Sequence, residues 1–177
     1  MEQQQEEETS ISHVLIFPLP LQSTINSNLH LAELLCLAGL KVTFLNTNHN
    51  QQRLLLHSNV QSRFEQYAGF KFLTISDGLP EDHPRSAEQF GDIISSLQTV
   101  AEPFLKEMLS SRPVKEPITC VIPDGLFYYA VDIGNEMGTP VILFDTISPS
   151  CLWVYLCLPK LIDSAVLPFE GNDLDAL

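Results

Sequence analysis

Positive charge is scarce in this sequence. Nine Lys and Arg residues stand against 22 Asp and Glu residues, and seven of the acidic residues lie within the first ten or the last eight positions. The rest of the chain carries 15 acidic side chains against the nine basic ones, an ordinary balance for a soluble protein. No basic cluster is present for phosphate backbones, so we expect no nucleic-acid partner.

Long apolar runs, a basic leader and paired cysteines are also missing. The apolar run at 13–21 is too short and too rich in proline to span a bilayer, and "MEQQQEEETS" is acidic where a signal peptide is basic. The four cysteines show no CxxC or Cys/His spacing and lie in apolar contexts typical of buried, reduced thiols. We therefore expect a cytoplasmic protein with no metal centre and no integral membrane contact.

Short apolar runs alternate with helical patterns along most of the chain. The predicted strands are 13–17, 41–46, 70–75, 118–123 and 140–145. The predicted helices are one capped by Thr24 or Asn26 and ended by Gly39, and others at 50–58, 87–111 (kinked or divided at Pro103), 125–138 (ended by Gly138) and 148–165 (stopping near Pro159). This order predicts an α/β fold, a Rossmann-like parallel sheet with helices on both faces, over 12–165, after a disordered acidic tail at 1–11.

The usual motifs of nucleotide and hydrolase sites are absent. The loop after the first strand, "PLPLQST", has no glycine, whereas a dinucleotide site needs glycines so that backbone amides approach the pyrophosphate. GxSxG, the Walker lysine loop and HExxH are missing as well. We expect no bound cofactor.

Polar residues follow the predicted fourth and fifth strands, where doubly wound sheets bind ligands. Asp124 ends the fourth strand and is either a catalytic carboxylate or the cap of a helix starting near Leu126. The loop after the fifth strand holds polar residues that are either site residues or turn and cap residues, namely Asp145, Thr146, Ser148 and Ser150.

Three stretches carry a resemblance to a known family. They are "HVLIFPLPLQSTINSNLHLAELLCLAGLKVTFLNT", "CVIPDGLFYYAVDIGNEMGTPVILFDT" and the closing "LPFEGNDLDAL". In order and spacing, they resemble the amino-terminal half of plant family 1 UDP-dependent glycosyltransferases, and among these the enzymes that glucosylate iridoids and other terpenoids.

The resemblance implies the amino-terminal domain of a two-domain GT-B fold, with 166–177 as the start of a truncated linker and the second domain absent. In this family the amino-terminal domain binds the acceptor, the second domain binds the UDP-sugar, and transfer inverts the anomeric carbon. A UDP-sugar donor is therefore expected only for a full-length form. The partners it implies are a small apolar acceptor and, through the exposed interdomain face, a full-length relative or a second copy.

The family's first loop usually reads Gln-Gly-His, and its His is the general base that an Asp after the fourth strand positions. The three positions of that motif are occupied here by Gln22, Ser23 and Thr24, and the position of the Asp is occupied by Asp124. The hydroxyl of Thr24 therefore replaces the base. Three explanations stay open: Thr24 caps a helix in an inactive copy, Asp124 acts as base directly or through water, or the acceptor is already ionised.

The acceptor side of the cleft includes, by the same resemblance, Gln22, Ser23, Thr146, Ser148 and Trp153, although Trp153 equally suits core packing. Other histidines do not replace the base. His13 starts a strand at the opposite end of the sheet, and surface exposure is expected of the four others, which are His30, His49, His57 and His83. The sequence thus predicts an acceptor-binding domain that is inactive alone, or alternatively a non-catalytic small-molecule-binding or interaction module.

Overall fold

The computed structural model describes residues 11–111 and 116–167 and divides the chain into two compact units, one ending at Asp145 and one beginning at Thr146. In the first unit four parallel strands form a sheet in the order β3-β2-β1-β4. The strands are β1 (His13–Phe17), β2 (Lys41–Thr47), β3 (Phe70–Ile75) and β4 (Cys120–Pro123). The helices of this unit are α1 (Gln22–Leu37), α2 (Asn48–His57), α3 (Val60–Phe64), α4 (Phe90–Ser110) and α5 (Tyr129–Met137).

Strand β1 lies in the middle of the sheet, and its side chains alternate between two cores. Leu15 and Phe17 pack in the core that α4 and α5 cover, whereas Val14 and Ile16 pack in the core that α1 and α3 cover. Burial of each such side chain stabilises the fold by about 1.5–3 kcal/mol. The predicted Rossmann-like α/β sheet with helices on both faces is confirmed.

Helix α1 follows the two prolines of the first loop and begins earlier than predicted. Leu21, in an extended conformation, is the N-cap residue and forms no side-chain cap. Thr24 and Asn26 lie inside the helix, so the predicted helix start at either of them is wrong. Its end is as predicted, since Gly39 has φ +84° and its N–H donates to the carbonyl of Cys36.

Pro103 does not divide its helix and Pro159 does not end its helix. Helix α4 runs through Pro103 after a 3₁₀ turn at Ala87–Gln89, because Pro103 is exposed while Leu97, Ala101 and Leu105 anchor the helix's buried face. In the second unit, helix α6 (Pro149–Asp163) continues past Pro159. A single proline removes one N–H, and the surrounding turns keep their hydrogen bonds. The short helix α3 was not predicted.

The predicted fifth strand is not a continuous strand. The segment 140–144 meets β4 at two isolated parallel bridges, Val121 with Val141 and Asp124 with Phe144. Ile142 N–H donates to Val121 and Phe144 N–H donates to Pro123, but Pro123 has no N–H to donate in return. The ladder is therefore broken between the two bridges.

The predictions for the two chain ends and for the four cysteines are confirmed only in part or lie outside the described residues. Except for Ile11, the predicted tail 1–11 lies outside the described residues, as does the predicted linker beyond Leu167; the domain limits 12–165 stay a prediction. The four cysteines are free and half-buried rather than fully buried. Among the described residues, no helix is long and apolar enough to cross a membrane.

Candidate functional site

A cavity of about 460 Å³ lies outside the carboxyl ends of β1, β2 and β3. One wall is the loop after β1 with the start of α1, a second is α2, and a third is the loop after β3 with the start of α4. The lining residues are Pro20, Leu21, Gln22, Ile25, Asn26, Thr47, His49, Asn50, Arg53, Leu54, His57, Ser58, Asp77, Arg85 and Ile93. The carboxyl edge of a parallel sheet is where such folds bind ligands.

Polar side chains at the end of β2 and the start of α2 hold the first two walls of the cavity together. Asn50 Nδ2 donates to the carbonyl oxygen of Pro20 over 2.8 Å, which ties α2 to the first loop. Thr47 Oγ1 accepts from the N–H of Asn50 and caps α2. Below them, the buried Asn46 Nδ2 donates to Gln51 Oε1. The walls are therefore held by specific contacts before any ligand binds.

The third wall is closed by a buried ion pair. Arg85 donates from Nε to Asp77 Oδ2 over 2.7 Å and from Nη2 to Asp77 Oδ1 over 3.1 Å. Its remaining donors reach the carbonyl oxygens of Leu79, Pro80 and His83, so all five guanidinium N–H groups are used. These bonds also hold Arg85 at φ +50°, a backbone conformation uncommon for a residue with a side chain.

Asp77 and Arg85 also stabilise each other's charge. Burial alone would raise the pKa of Asp77, but the hydrogen bonds from Arg85 and from the Leu79 N–H outweigh it and hold that pKa below its ordinary value. The pKa of Arg85 is raised by its bonds to Asp77. Both groups stay charged at neutral pH, and each compensates the other.

His49 and Arg53 line the cavity from α2. His49 is half-buried, and its pKa is lowered first by burial and then by the positive charges of Arg85 and Arg53, against the opposing charge of Asp77. Its imidazole is therefore neutral at neutral pH. Arg53 forms no ion pair with any residue in 11–111 or 116–167.

The predicted site residues of the first loop separate in the structure. Gln22 lines the cavity, whereas Ser23 and Thr24 are not among its lining residues. Ser23 is exposed, and Thr24 is buried in the first turn of α1, where its carbonyl oxygen accepts from Asn28 Nδ2 over 2.9 Å. The roles of Ser23 and Thr24 stay predictions.

Asp124 is buried where β4 ends. Its Oδ1 accepts from the N–H of Leu126 over 3.1 Å, and its carboxylate also bonds the N–H of Leu19, in the loop after β1. Burial raises its pKa, and the nearby charge of Asp145 raises it further, while the two N–H bonds oppose the shift. Asp124 fixes the turn at 124–126 and joins the loops after β1 and β4. The alternative that it caps a helix starting near Leu126 is wrong, because α5 begins at Tyr129 and has no side-chain cap. It does not line the cavity.

The other predicted residues belong to the second unit. Thr146 is exposed, and Ser148 Oγ caps α6 by accepting from the N–H of Cys151 over 3.2 Å. Trp153 is 68% exposed, so the alternative that it packs in a core is wrong. Their predicted contact with an acceptor stays a prediction.

Sequence reasoning missed the residues that follow β2 and β3. Of the histidines expected at the surface, His30 and His57 are exposed, but His49 and His83 are half-buried. The available signals were polar side chains directly after two predicted strands, in "NTNHNQQR" and "DGLPEDHPR". His13 lies at the opposite end of β1, as predicted, and within 11–111 and 116–167 no group of three or more His, Cys, Asp or Glu is placed to hold a metal.

Solved structures place this fold within one class. The chain superposes on Arabidopsis thaliana UGT89C1 complexed with UDP-L-rhamnose with a TM-score of 0.66, at 21% identity over 79% of this chain and 37% of that one. It superposes on UDP-glucose: anthocyanidin 3-O-glucosyltransferase in complex with UDP with a TM-score of 0.63, at 21% identity over 94% and 36% of the two chains. The fold is the amino-terminal portion of a GT-B glycosyltransferase fold.

Sequence comparison identifies plant glucosyltransferases as relatives of this chain. No protein-family model matches the chain. It is 46% identical over 177 residues to 7-deoxyloganetic acid glucosyltransferase of Catharanthus roseus, covering 97% of this chain and 37% of the relative. It is 36% identical to myricetin 3-O-rhamnoside 1,2-glucosyltransferase of Crocosmia x crocosmiiflora, covering 93% and 35%. The chain is a relative of plant UDP-glycosyltransferases, as its motifs indicate, and spans about a third of the length of the curated relatives it matches.

Proposed function

We propose that the chain is the acceptor-binding part of an inverting UDP-sugar-dependent glycosyltransferase, and that the cavity beside α2 holds the acceptor. The acceptor is a small plant metabolite such as a terpenoid, an iridoid or a phenolic, which receives the sugar on a hydroxyl or carboxyl group. The observation that carries this proposal is the cavity of about 460 Å³ at the carboxyl ends of β1–β3, in a chain related to glucosyltransferases of such metabolites.

The cavity suits an acceptor of this class in size and in chemistry. Its volume falls in the range of small-molecule sites. Leu21, Ile25, Leu54 and Ile93 offer apolar contacts for a hydrocarbon skeleton. Gln22, together with other polar lining residues, offers hydrogen-bonding groups that orient a hydroxyl. Apolar walls with a few placed polar groups are the usual composition of such sites.

Transfer by these 177 residues alone is not expected under this proposal. In the family the second domain holds the UDP-sugar, and a transferase lowers its barrier by bringing both substrates together. Thr24 cannot accept a proton in the physiological range, so the acceptor is activated by Asp124 or is ionised beforehand. Asp124 does not line the cavity, so as a base it would act through a bridging water; burial raises its pKa, which makes the carboxylate more basic.

A second candidate is a non-catalytic module that binds the same class of molecule. The observation that favours it is the hydroxyl of Thr24, buried in the first turn of α1, at the position that carries the family's base. In this case the cavity binds a ligand, and no proton is removed from it.

One pair of measurements separates the candidates. The chain is first titrated with 7-deoxyloganetic acid by calorimetry, together with two variants on α2. Leu54→Trp fills the cavity, and Leu56→Trp, whose parent side chain is 77% exposed, does not. The proposal expects wild type and Leu56→Trp to bind and Leu54→Trp to bind at least tenfold more weakly. Absence of binding by a wild-type chain that unfolds cooperatively would overturn both candidates.

The second measurement replaces the matching segment of the Catharanthus roseus relative with this chain and follows glucose transfer from UDP-glucose. UDP binding by the chimera is the control that its second domain has folded. Transfer supports the acceptor-domain proposal. A chimera that binds UDP and the acceptor but transfers no glucose supports the non-catalytic module.

A further inference from the structure

The charges that line the cavity leave one positive group uncompensated. Asp77 and Arg85 neutralise each other through two hydrogen bonds, and the guanidinium of Arg85 has no donor left for a ligand. Arg53 lines the same cavity and forms no ion pair within the described ranges. Its five N–H donors are therefore available to a ligand.

The face of α2 explains why Arg53 reaches the cavity. Asn50, Arg53, Leu54 and His57 recur at spacings of three and four residues, so they share one face of the helix, and all four line the cavity. The positive charge of Arg53 also acts on His49, whose pKa it helps to lower. The guanidinium is thus within electrostatic reach of the inner wall.

We infer that the cavity selects acceptors that carry a carboxylate, and that Arg53 binds this carboxylate through paired N–H donors. This inference rests on the proposed function, because it assumes that the cavity is the acceptor site. A guanidinium matches a carboxylate in geometry, and paired bonds between them fix the orientation of the bound molecule as well as its affinity. The apolar side chains beside Arg53 then contact the uncharged skeleton.

The test compares an acid with its methyl ester, which differ in the charge that Arg53 would bind. The full chain is titrated with 7-deoxyloganetic acid and with the methyl ester of that acid, at about pH 8, where histidines with ordinary pKa values are neutral and carboxylates are ionised. The variants are Arg53→Gln, which removes the charge, and Arg53→Lys, which keeps the charge without the paired donors. Lys71→Gln is the matched control, since it removes one positive charge from an exposed residue of β3 that does not line the cavity.

Wild type is expected to bind the acid about two- to fivefold more tightly than the ester, because Arg53 is exposed and solvent screens an ion pair at the surface. Arg53→Gln should lose this preference while its affinity for the ester stays the same, Arg53→Lys should keep part of it, and Lys71→Gln should keep all of it. Equal binding of acid and ester by wild type, or equal weakening of both by Arg53→Gln, overturns the inference while the cavity remains the acceptor site. Absence of binding to both molecules overturns the proposed function itself.

Discussion

Arg85 holds Asp77 with two parallel hydrogen bonds, of 2.7 Å from Nε to Oδ2 and 3.1 Å from Nη2 to Oδ1, across the loop that forms one wall of the cavity. Both side chains are almost fully buried, at 11% and 9% exposure. The same guanidinium binds three backbone carbonyl oxygens of this loop. Arg85 therefore fixes the shape of the wall, and Asp77 keeps its charge neutralised.

Replacement of this arginine by lysine should destabilise the protein although the charge is retained. Arg85→Lys loses the paired geometry and most of the carbonyl bonds, and we expect the free energy of unfolding to fall by about 1.5–3 kcal/mol. Urea unfolding followed by circular dichroism measures this change. The control is Lys41→Gln, which breaks the exposed pair of Lys41 with Glu116 and should leave the unfolding midpoint nearly unchanged. An equal shift in both variants would contradict the structural role of the buried pair.

The buried His13 predicts a loss of stability in mild acid. Its Nε2 lies 2.7 Å from Thr43 Oγ1, and its Nδ1 lies 3.1 Å from the carbonyl oxygen of Glu116, so Nδ1–H donates and Nε2 accepts in the neutral ring. Burial lowers the pKa of His13, and the charges of Lys71 and Lys41 lower it further. The carbonyl bond and the carboxylate of Glu116 oppose the shift without cancelling it.

The lowered pKa of His13 makes the folded protein less stable as the pH falls. Because the folded pKa lies below the ordinary value of 6.5, the unfolded chain binds the proton first, and stability falls as pH decreases from about 6.5 toward the folded pKa. Above that window stability should be constant. His13→Gln should flatten the slope, except for the part contributed by His49. A slope that survives in His13→Gln combined with His49→Gln would rule out this origin.

Two glycines in helices should respond in opposite directions to a methyl group. At Gly134, in α5, a Cβ would lie 2.7 Å from the carbonyl oxygen of Thr139 and 2.2 Å from Cγ2 of Val141, so the segment that bridges to β4 would have to move. We expect Gly134→Ala to lower the free energy of unfolding by about 1–3 kcal/mol. At Gly91, in α4, a Cβ meets nothing within 4 Å, and Gly91→Ala should stabilise the protein by about 0.5–1 kcal/mol. Thermal unfolding of both variants checks the prediction, and destabilisation by Gly91→Ala would contradict it.

The predictable part of the fold is the part that local pattern determines. The strand at 70–75 was predicted at its observed limits, and Gly39 and Gly138 end their helices in the left-handed conformation as expected. The fifth strand was wrong because its pairing depends on a missing N–H in its neighbour, Pro123, and not on its own composition. Pro103 does not divide its helix, because burial of the opposite helix face outweighs one lost hydrogen bond.

The candidate site was less predictable than the sheet. The cavity lies at the carboxyl edge of the sheet, where the sequence predicts the site, and Gln22 lines it; that this cavity is the site stays a prediction. The residues after β2 and β3 were missed because the loops after the first, fourth and fifth strands alone were considered. The pairing of Asp77 with Arg85 depends on how the loop between two residues eight positions apart folds back, which no periodicity in the sequence encodes.

The hydroxyl at position 24 gives the sharpest test of the catalytic proposal. Thr24 is buried in the first turn of α1, at the position where the family resemblance implies a proton-accepting His. If the chimera with the Catharanthus roseus enzyme transfers glucose slowly because it lacks this base, Thr24→His should raise kcat by about 10²–10⁴-fold, the usual worth of a positioned base. Ser27→His, on the exposed side of the same helix, is the matched control and should leave kcat unchanged.

The double variant Thr24→His with Asp124→Asn identifies the role of the carboxylate. If Asp124 positions the new imidazole, most of the gain should disappear in the double variant, and the acid limb of the pH–rate profile should shift with it. If Asp124 is itself the base of the chimera, Asp124→Asn alone should abolish transfer. No gain from Thr24→His, together with transfer that survives in Asp124→Asn, would support an acceptor that reacts in its ionised form, provided that both variants still bind UDP and unfold at the temperature of their parent. In that case one question is whether the carboxylate that Arg53 binds is also the group that receives the sugar. The methyl ester answers it, because the ester blocks the carboxylate. Transfer to the ester would show that another group of the acceptor, such as a hydroxyl, receives the sugar.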